Sequence, residues 1–384
     1  MSTLEELRAQ IDDIDVQMVA LFEQRMNVTR QVGEYKKEHG MPVLDRNREA
    51  EVLARKEAML KNPYLKTEVK DFFSSIMAIS RRQQRTLLAR QSSVEQVRAL
   101  QAMVQSAREP VRAPRVFYQG VAGAYAEEAA ALFFGEAAQR CSAPTWRSLF
   151  ELLTAGKTDY IVVPIENNST GSINAVYDLL AEYGAYVVGE QTIKVEHCLC
   201  ALPGTALEDI TDVYSHEQGF FQSEDFLARY EGWKQNAVLN TAAAAQLVAV
   251  SGARNKAAIC SRRAARLFGL EVLRERINTS ADNYTRFFVV SKTMELRPEC
   301  SKLSLMFTLP HEPGTLNNVL GILAAHQMNM LRLESRPMPG EGWEYRFFVD
   351  VEGDLRNDAL NTVLFELVEN TLTLRILGNY PKGA

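Results

Sequence analysis

Between Leu4 and Val32 the apolar residues Leu4, Leu7, Ile11, Ile14, Met18, Leu21, Val28 and Val32 recur at mostly three- and four-residue steps, the spacing of one face of a long helix. If that helix runs to about Glu38 it is about 52 Å long at 1.5 Å per residue, whereas a compact 90-residue domain has a radius of gyration of about 12 Å. One chain cannot cover such a seam, so the pattern predicts a homodimer or a higher homo-oligomer. Gly40 and Pro42 end the helix, Asp45 offers an N-cap, and a second helical pattern covers about Arg46 to Leu60 before Asn62-Pro63 breaks it. A third helix is expected from near Tyr64, with Val69, Phe72, Phe73, Ile76 and Leu87 on one face.

A chain of 384 residues exceeds what one core organises, and 46% hydrophobic residues can fill two or three. The grammar changes twice. The Gln-rich stretch 91–114 keeps Leu100, Met103 and Val104 at helical spacing and closes on Pro110 and Pro114, which reads as a helical extension and tether. After Pro114, short β runs such as Val116-Phe117-Tyr118, Ile161-Val162-Val163 and Tyr186-Val187-Val188 alternate with alanine-rich helical segments, an α/β pattern. The last 85 or so residues read as strand 303–309, helix 315–325, strand 330–335, strand 345–351, helix 357–370 and strand 372–377, the βαββαβ order of a ferredoxin-like fold. The expectation is a multi-domain chain: all-α over 1–90, linker over 91–114, α/β over 115–292 and α+β over 299–384.

A net charge of −5 argues against generic nucleic-acid binding. No stretch of 18 apolar residues and no signal-peptide core predicts membrane insertion or export, so a cytoplasmic protein is expected. Five scattered cysteines lack the spacing of a zinc site or disulfide framework, and no metal or cofactor is expected. Cys198 and Cys200, two apart in an apolar run, suit a packed strand.

In the helical head, Arg25 continues the seam after Leu21 and Arg8 flanks it, while Ser80 and Gln84 stand at apolar positions of the third helix. Each alone could be a snorkelling or solvated side chain. Together they need partners if buried. The order Leu7-Arg8-x-x-Ile11-Asp12-x-Ile14-Asp15, Leu21-x-x-x-Arg25, Val32-Gly33-x-x-Lys36, Asp45-x-x-Arg48-Glu49 and Ser80-x-x-x-Gln84 resembles the helical chorismate mutases that are fused to prephenate dehydratase. The resemblance implies that Arg25 and Arg48, with Arg8 from a partner subunit, hold the two carboxylates of chorismate. Lys36 and Gln84 would face the ether oxygen and Glu49 the substrate hydroxyl, with Asp45 and Ser80 lining the pocket.

The α/β region has no G-x-S-x-G, P-loop or zinc signature. Its polar clusters are Pro164-Ile165-Glu166-Asn167-Asn168-Ser169, Ser215-His216-x-Gln218 and Asn283-Tyr284-Thr285-Arg286-Phe287, each compatible with ordinary turn chemistry. Together they resemble prephenate dehydratase, whose fold is two α/β lobes of the periplasmic-binding-protein kind with the site between them. The resemblance implies that Thr285 assists departure of the ring hydroxyl of prephenate, that Asn167, Gln222 and Ser215 position the substrate, and that Arg286 holds a carboxylate or the site's frame. The loop Gly120–Ala126 departs from the family pattern, with Ala124 and Ala126 where hydroxyl residues usually stand. In the tail, His311-Glu312-Pro313-Gly314-Thr315-Leu316 and Leu333-Glu334-Ser335-Arg336-Pro337 resemble the two phenylalanine-binding segments of the ACT regulatory domain, the second expected as a turn. By that resemblance Gly314, Thr315, Leu316, Glu334, Ser335 and Arg336 bind phenylalanine. The rival expectations are an arogenate-preferring dehydratase and a non-catalytic sensor of aromatic amino acids.

Overall fold

Thr3 opens the first helix with a capping box: its side chain accepts the Glu6 N–H while the Glu6 carboxylate accepts the Thr3 N–H, and α1 then runs over Leu4–Glu38. In this computed structural model, which describes residues 3–41, 43, 45–338, 344–357 and 359–383, α1 buries only Thr29 and Gly33. The apolar seam stays exposed, from Leu4 through Ile11 and Leu21 to Val32. Helix α2 covers Arg46–Ala58 behind its Asp45 cap, slightly shorter than expected, and Pro63–Leu65 forms a 3₁₀ turn. Pro42 lies outside the described residues, as does the side chain of Leu87.

The expected third helix and the helical part of the tether are one element, α3, over Lys66–Gln105. No proline or glycine occurs in that span, so the polar composition alters what the helix buries without ending it. By backbone contacts the chain divides into two units: Met1–Ala99 with Thr308–His326 and Asn361–Leu374, and Leu100–Phe307 with Gln327–Leu360 and Arg375–Ala384.

Two α/β lobes follow. The first contains β1 (Arg115–Gln119), α4 (Tyr125–Phe134), β2 (Gln139–Ala143), α5 (Trp146–Thr154), β3 (Tyr160–Asn167), β4 (Gly171–Ser172), α6 (Asn174–Tyr183) and β5 (Tyr186–Lys194). The chain then crosses to β6 (Cys198–Ala201), β7 (Asp212–Ser215), α7 (Glu217–Phe221), α8 (Glu224–Leu227), β8 (Lys234–Ala237), α9 (Thr241–Ser251), β9 (Lys256–Cys260), α10 (Arg262–Leu267) and β10 (Glu271–Arg274), and returns on β11 (Tyr284–Ser291). The first sheet has the order β2-β1-β3-β11-β5 with β4 beside β3; the second is β10-β6-β9-β7-β8. Strand β11 enters antiparallel between β3 and β5, which sets Thr285 opposite Asn167. Ile161, Val162, Val163, Val289 and Val290 are fully buried, as continuous apolar runs in a two-faced sheet require. Cys198 and Cys200 share one buried cluster while Leu199 belongs to another, the alternation of a packed strand.

The remaining elements are β12 (Lys302–Thr308), α11 (Thr315–Ala325), β13 (Met330–Pro337), β14 (Tyr345–Glu352), α12 (Ala359–Asn370) and β15 (Thr373–Tyr380), with sheet order β13-β14-β12-β15. This is the βαββαβ arrangement. The strand expected over 330–335 runs on to Pro337, through the segment 334–337 that was also expected as a turn: Ser335 pairs with Phe347 and Pro337 with Tyr345. Phe348, Leu377 and Tyr380 share a buried cluster with Ile161, Val163, Leu180 and Phe288 of the first lobe. No helix among the described residues is long and apolar enough to cross a membrane.

Candidate active sites

Three helices converge on a cavity of about 310 Å³. From α1 come Arg25, Val28, Thr29, Val32 and Lys36; from α2 and its cap, Asp45, Arg48, Glu49 and Val52; from α3, Met77, Ser80, Arg81 and Gln84. The intervals of three, four and seven put each set on a single helix face. Ser80 donates its hydroxyl proton to the Ile76 carbonyl at 2.8 Å and accepts from Arg25 Nη1 at 2.6 Å. A leucine there could do neither. Burial pushes the Arg25 pKa down from its usual value, a cost that a bound anion offsets. Lys36 Nζ donates to the Val43 carbonyl at 2.6 Å, which bends the chain after α1 around the cavity. Gln84 is buried, and its Oε1 has no hydrogen-bond partner among the described residues.

Of the residues expected here only Arg8 is missing from the lining. It is exposed, 17 residues before Arg25 and so about 26 Å away along the helix. Sequence reading also missed Arg81, whose guanidinium donates to both oxygens of Glu49. The Glu49 carboxylate therefore already has a cationic partner. Nothing in the order of residues announces that pair, because it depends on how α2 lies against α3.

The second site is a cleft of about 600 Å³ between the α/β lobes, lined by Asn167, Thr170, Ser172 and Thr285 of the first lobe and by His216, Gln218, Gln222, Asn240 and Thr241 of the second. Asn167, at the end of β3, closes an Asx turn: its Oδ1 accepts the Ser169 N–H at 2.9 Å and the Thr170 N–H at 3.2 Å. Its Nδ2 must then point the other way, donating to Asn283 Oδ1 at 2.7 Å and Thr285 Oγ1 at 2.9 Å. Thr285 receives that bond on its lone pair, so its own proton is directed elsewhere. Asn240 caps α9 through Oδ1, and its Nδ2 sits against Gly120. Trp146, His197 and Asn240 line this cleft, and Trp146 Nε1, His197 Nδ1 and Asn240 Nδ2 are buried without a partner among the described residues. None of the three was expected from sequence; the only hint is that polar groups this buried require partners.

Ser215 and Arg286 do not line the cleft. Ser215 is fully buried and donates to the Ile259 carbonyl at 3.0 Å, filling the space that Gly219 leaves open. The Arg286 guanidinium is held by Glu190, Glu166 and Asp350 at 3.1–3.2 Å. Burial lowers its pKa, but the carboxylates of Asp350, Glu190 and Glu166 outweigh that and raise it overall. Both terminal nitrogens are taken by carboxylates of the protein, and Nε is buried without a partner among the described residues. In the Gly120–Ala126 loop, Gly120 (φ 116) leaves room for Asn240, since a Cβ there would come within 3.1 Å of Nδ2. Ala124 caps α4 without a side-chain hydrogen bond, and Glu127 instead accepts the Gly123 N–H.

Three family descriptions match the chain: chorismate mutase type II over residues 7–85, prephenate dehydratase over 116–295 and ACT domain over 303–369. The bifunctional chorismate mutase/prephenate dehydratase of Escherichia coli K12 is 34% identical over 379 residues, covering 98% of this chain and 95% of the relative. The chain belongs to the bifunctional chorismate mutase/prephenate dehydratase family.

Two solved structures overlay 70% of the chain. A prephenate dehydratase from Arthrobacter aurescens in complex with L-Phe is 28% identical with a TM-score of 0.63, covering 90% of that protein. A protein described as a novel type of quorum-quenching acylase is 30% identical with a TM-score of 0.64, covering 98% of it. One fold thus carries more than one described chemistry, and the assignment of roles in this bifunctional enzyme has to rest on the site.

The regulatory segments of the bifunctional chain are placed as follows. Gly314 is the N-cap of α11 at φ 83, with nothing within 4 Å of where a Cβ would stand. The Thr315 hydroxyl reaches the carbonyls of Pro310 at 3.1 Å and Glu312 at 3.0 Å, while Leu316 is partly exposed. Glu334 accepts from Ser172 Oγ, and Arg336 pairs with Asp178 at 2.8 Å. Arg332, which was not anticipated, reaches Glu166 at 2.9 Å and Ser172 at 2.6 Å. Strand β13 is thereby tied to the residues just before and after the Asx turn at Asn167.

Proposed function

We propose that the three-helix cavity carries the rearrangement of chorismate and the interlobe cleft the dehydration of prephenate, with the residues placed above. The chain converts chorismate to prephenate, and prephenate to phenylpyruvate with loss of water and carbon dioxide, under regulation by phenylalanine. The observation that supports the division most is the meeting of Arg25, Lys36, Asp45, Arg48, Glu49, Ser80 and Gln84 around one cavity from three helices. A Claisen rearrangement needs no nucleophile and no proton transfer. Arg25 and Arg48 grip the carboxylates, and Lys36 and Gln84 donate to the ether oxygen as the C–O bond breaks. Positioning can supply about 7–11 kcal/mol and an oxyanion donor about 2.7–4, against about 8 for a 10⁶-fold acceleration.

In the cleft, Thr285 donates to the ring hydroxyl as the C–O bond breaks, while the electron pair of the departing carboxylate enters the ring and CO₂ leaves. The hydroxyl takes up one proton overall and departs as water. Asn167 aims Thr285, Gln222 positions the substrate, and Ser215 and Arg286 brace the walls. A second copy of the chain covers the exposed α1 seam and brings Arg8 to the cavity of its partner. Phenylalanine is read by Gly314, Thr315 and Leu316 together with Glu334, Ser335 and Arg336. The mutase corresponds to residues 1–90, the linker to 91–114, the dehydratase to 115–292 and the regulatory domain to 299–384, working in the cytoplasm on prephenate in preference to arogenate. Purified chain incubated with chorismate, with chorismate, prephenate and phenylpyruvate followed in time, tests the reading. Prephenate should rise and fall as phenylpyruvate accumulates. Chorismate left unconsumed, or arogenate consumed faster than prephenate, would overturn it.

A further inference from the structure

His197 lies where the chain crosses from the first lobe to the second, three residues after β5 ends. Its backbone N–H donates to Asn278 Oδ1 at 2.7 Å and its carbonyl accepts the Ile277 N–H at 3.0 Å, so it joins both crossing segments. The side chain is 2% exposed. The residue lines the cleft; Nε2 lies 2.9 Å from Gln222 Oε1, and Nδ1 is buried without a partner among the described residues.

The direction of every hydrogen bond between His197 and Thr285 follows from two backbone amides. The Ser169 and Thr170 N–H groups fix Asn167 Oδ1 as an acceptor. Ser169 Oγ, 2.6 Å from the same oxygen, must donate to it. Its lone pair then accepts from Gln222 Nε2 at 3.2 Å, which turns Gln222 Oε1 toward the imidazole. An amide oxygen only accepts, so His197 Nε2 carries a proton, and in the neutral ring Nδ1 is then bare. Ser169 belongs to the first lobe and Gln222 to the second, so this row of bonds spans the cleft.

We propose that His197 is a positioning residue of the dehydratase: as a neutral imidazole protonated on Nε2, it holds the Gln222 carboxamide across the cleft against Ser169, the turn that aims Thr285. Burial lowers the pKa of the ring, in keeping with its neutral form. His197 does not pass a proton to substrate, and protonation at Nδ1 would leave the Nε2–H bond in place. The inference rests on the reading of Gln222 and Thr285 as dehydratase groups.

The first test uses the unmodified full-length chain. Imidazole nitrogen-15 resonances, with those of His197 assigned by their loss in His197→Gln, should show Nε2 protonated and Nδ1 bare at about pH 7–8. The other tautomer, or a cationic ring there, overturns the proposal. The second test is kinetic, with prephenate supplied. His197→Leu should lower kcat/KM by about 10- to 100-fold, the range for one buried acceptor left unpaired, with more of the loss in kcat than in KM. His197→Gln, whose amide can present an N–H in place of Nε2, should recover most of it and keep the wild-type pH profile. The double variant His197→Leu with Gln222→Leu should be about as slow as the slower single. Losses that multiply, a Gln variant as slow as Leu, or an ionisation that vanishes from the Gln profile would each sink the proposal. If His197→Leu does not fold, the tautomer and His197→Gln still decide. An unaltered turnover in Thr285→Ala would instead sink the reading of the cleft and leave the tautomer result standing.

Discussion

The cavity proposed for the mutase is lined by Arg25, Lys36, Arg48 and Arg81 with Asp45 and Glu49, whereas the cleft proposed for the dehydratase has no lysine, arginine, aspartate or glutamate in its lining among the described residues. On the proposed assignment both sites handle dianions of similar size, so the contrast follows what happens to the charge. In the rearrangement no carboxylate is lost, and fixed cations can grip the same groups from ground state to product. In the dehydration one carboxylate departs as neutral CO₂. A cation clamped on it would stabilise the ground state more than the transition state and slow the step. A cleft of uncharged donors avoids that while still directing a proton at the leaving hydroxyl.

The comparison is broken most forcefully by removing the cations. Arg25→Ala or Lys36→Ala should lower chorismate rearrangement by about 10³-fold or more, beyond the loss of a single oxyanion donor, and leave phenylpyruvate formation from supplied prephenate within about twofold. Equal loss of both activities in a folded chain would show that the two sites are not separable. Next in size is the cleft's own donor. Thr285→Ala should cut dehydratase turnover about 10²-fold with KM much less affected, and Thr285→Ser should retain more than Ala. Turnover that survives Thr285→Ala would move the proton donor elsewhere in the cleft.

The two sites were also unequally legible. In the helical head, periodicity alone set Arg25 on the α1 seam and Ser80 and Gln84 on the apolar face of the third helix, while Lys36, Asp45, Arg48 and Glu49 came only from the family resemblance; all of them line one cavity. Glu49's partner Arg81 was not readable, since it depends on the approach of two helices. In the cleft, Asn167 and Thr285 were found by resemblance, but their mutual placement is a matter of strand register, with β11 inserted between β3 and β5 after more than 80 residues of another lobe. His197, Trp146 and Asn240 become visible only as buried polar atoms without partners. By resemblance Ser215 was expected to position the substrate and Arg286 to hold a carboxylate or the site's frame; neither is in the cleft lining, Ser215 being buried and Arg286 partly so. The order βαββαβ was legible in the tail, whereas the pairing that carries β13 past Ser335 to Arg336 and Pro337 was not.

Between the sites and the regulator the expected effects are smaller. Phe348, Leu377 and Tyr380 are built into the first lobe's core, and Asp350 and Lys302 help neutralise Arg286 and Glu190. Deleting residues 299–384 should therefore destabilise the dehydratase as well as remove regulation, and single substitutions are the sharper probe. Arg336→Ala removes the pair with Asp178 and should shift the phenylalanine concentration for half-inhibition by about 5- to 50-fold with catalysis retained, within the usual range of coupling energies. An unchanged inhibition curve would remove β13 from the path between sensor and cleft.

The smallest effect tests the charge contrast without any substitution. The Debye length falls from about 10 Å at 0.1 M salt to about 3 Å at 1 M, so a site that draws a dianion with clustered cations should lose affinity as salt rises. Residues 1–90 hold 16 basic and 14 acidic side chains, which with a total of −5 leaves −7 on the rest of the chain. Chorismate thus meets a mildly positive head with four cations at its cavity, and prephenate meets a neutral cleft in a negative surround. Over that salt range the KM for chorismate should rise about three- to tenfold, while the KM for prephenate should stay within about twofold or fall slightly as the surrounding negative charge is screened. Parallel rises in both constants would mean that cations beyond the cleft lining hold prephenate, and the argument that the departing carboxylate is left unclamped would have to be given up.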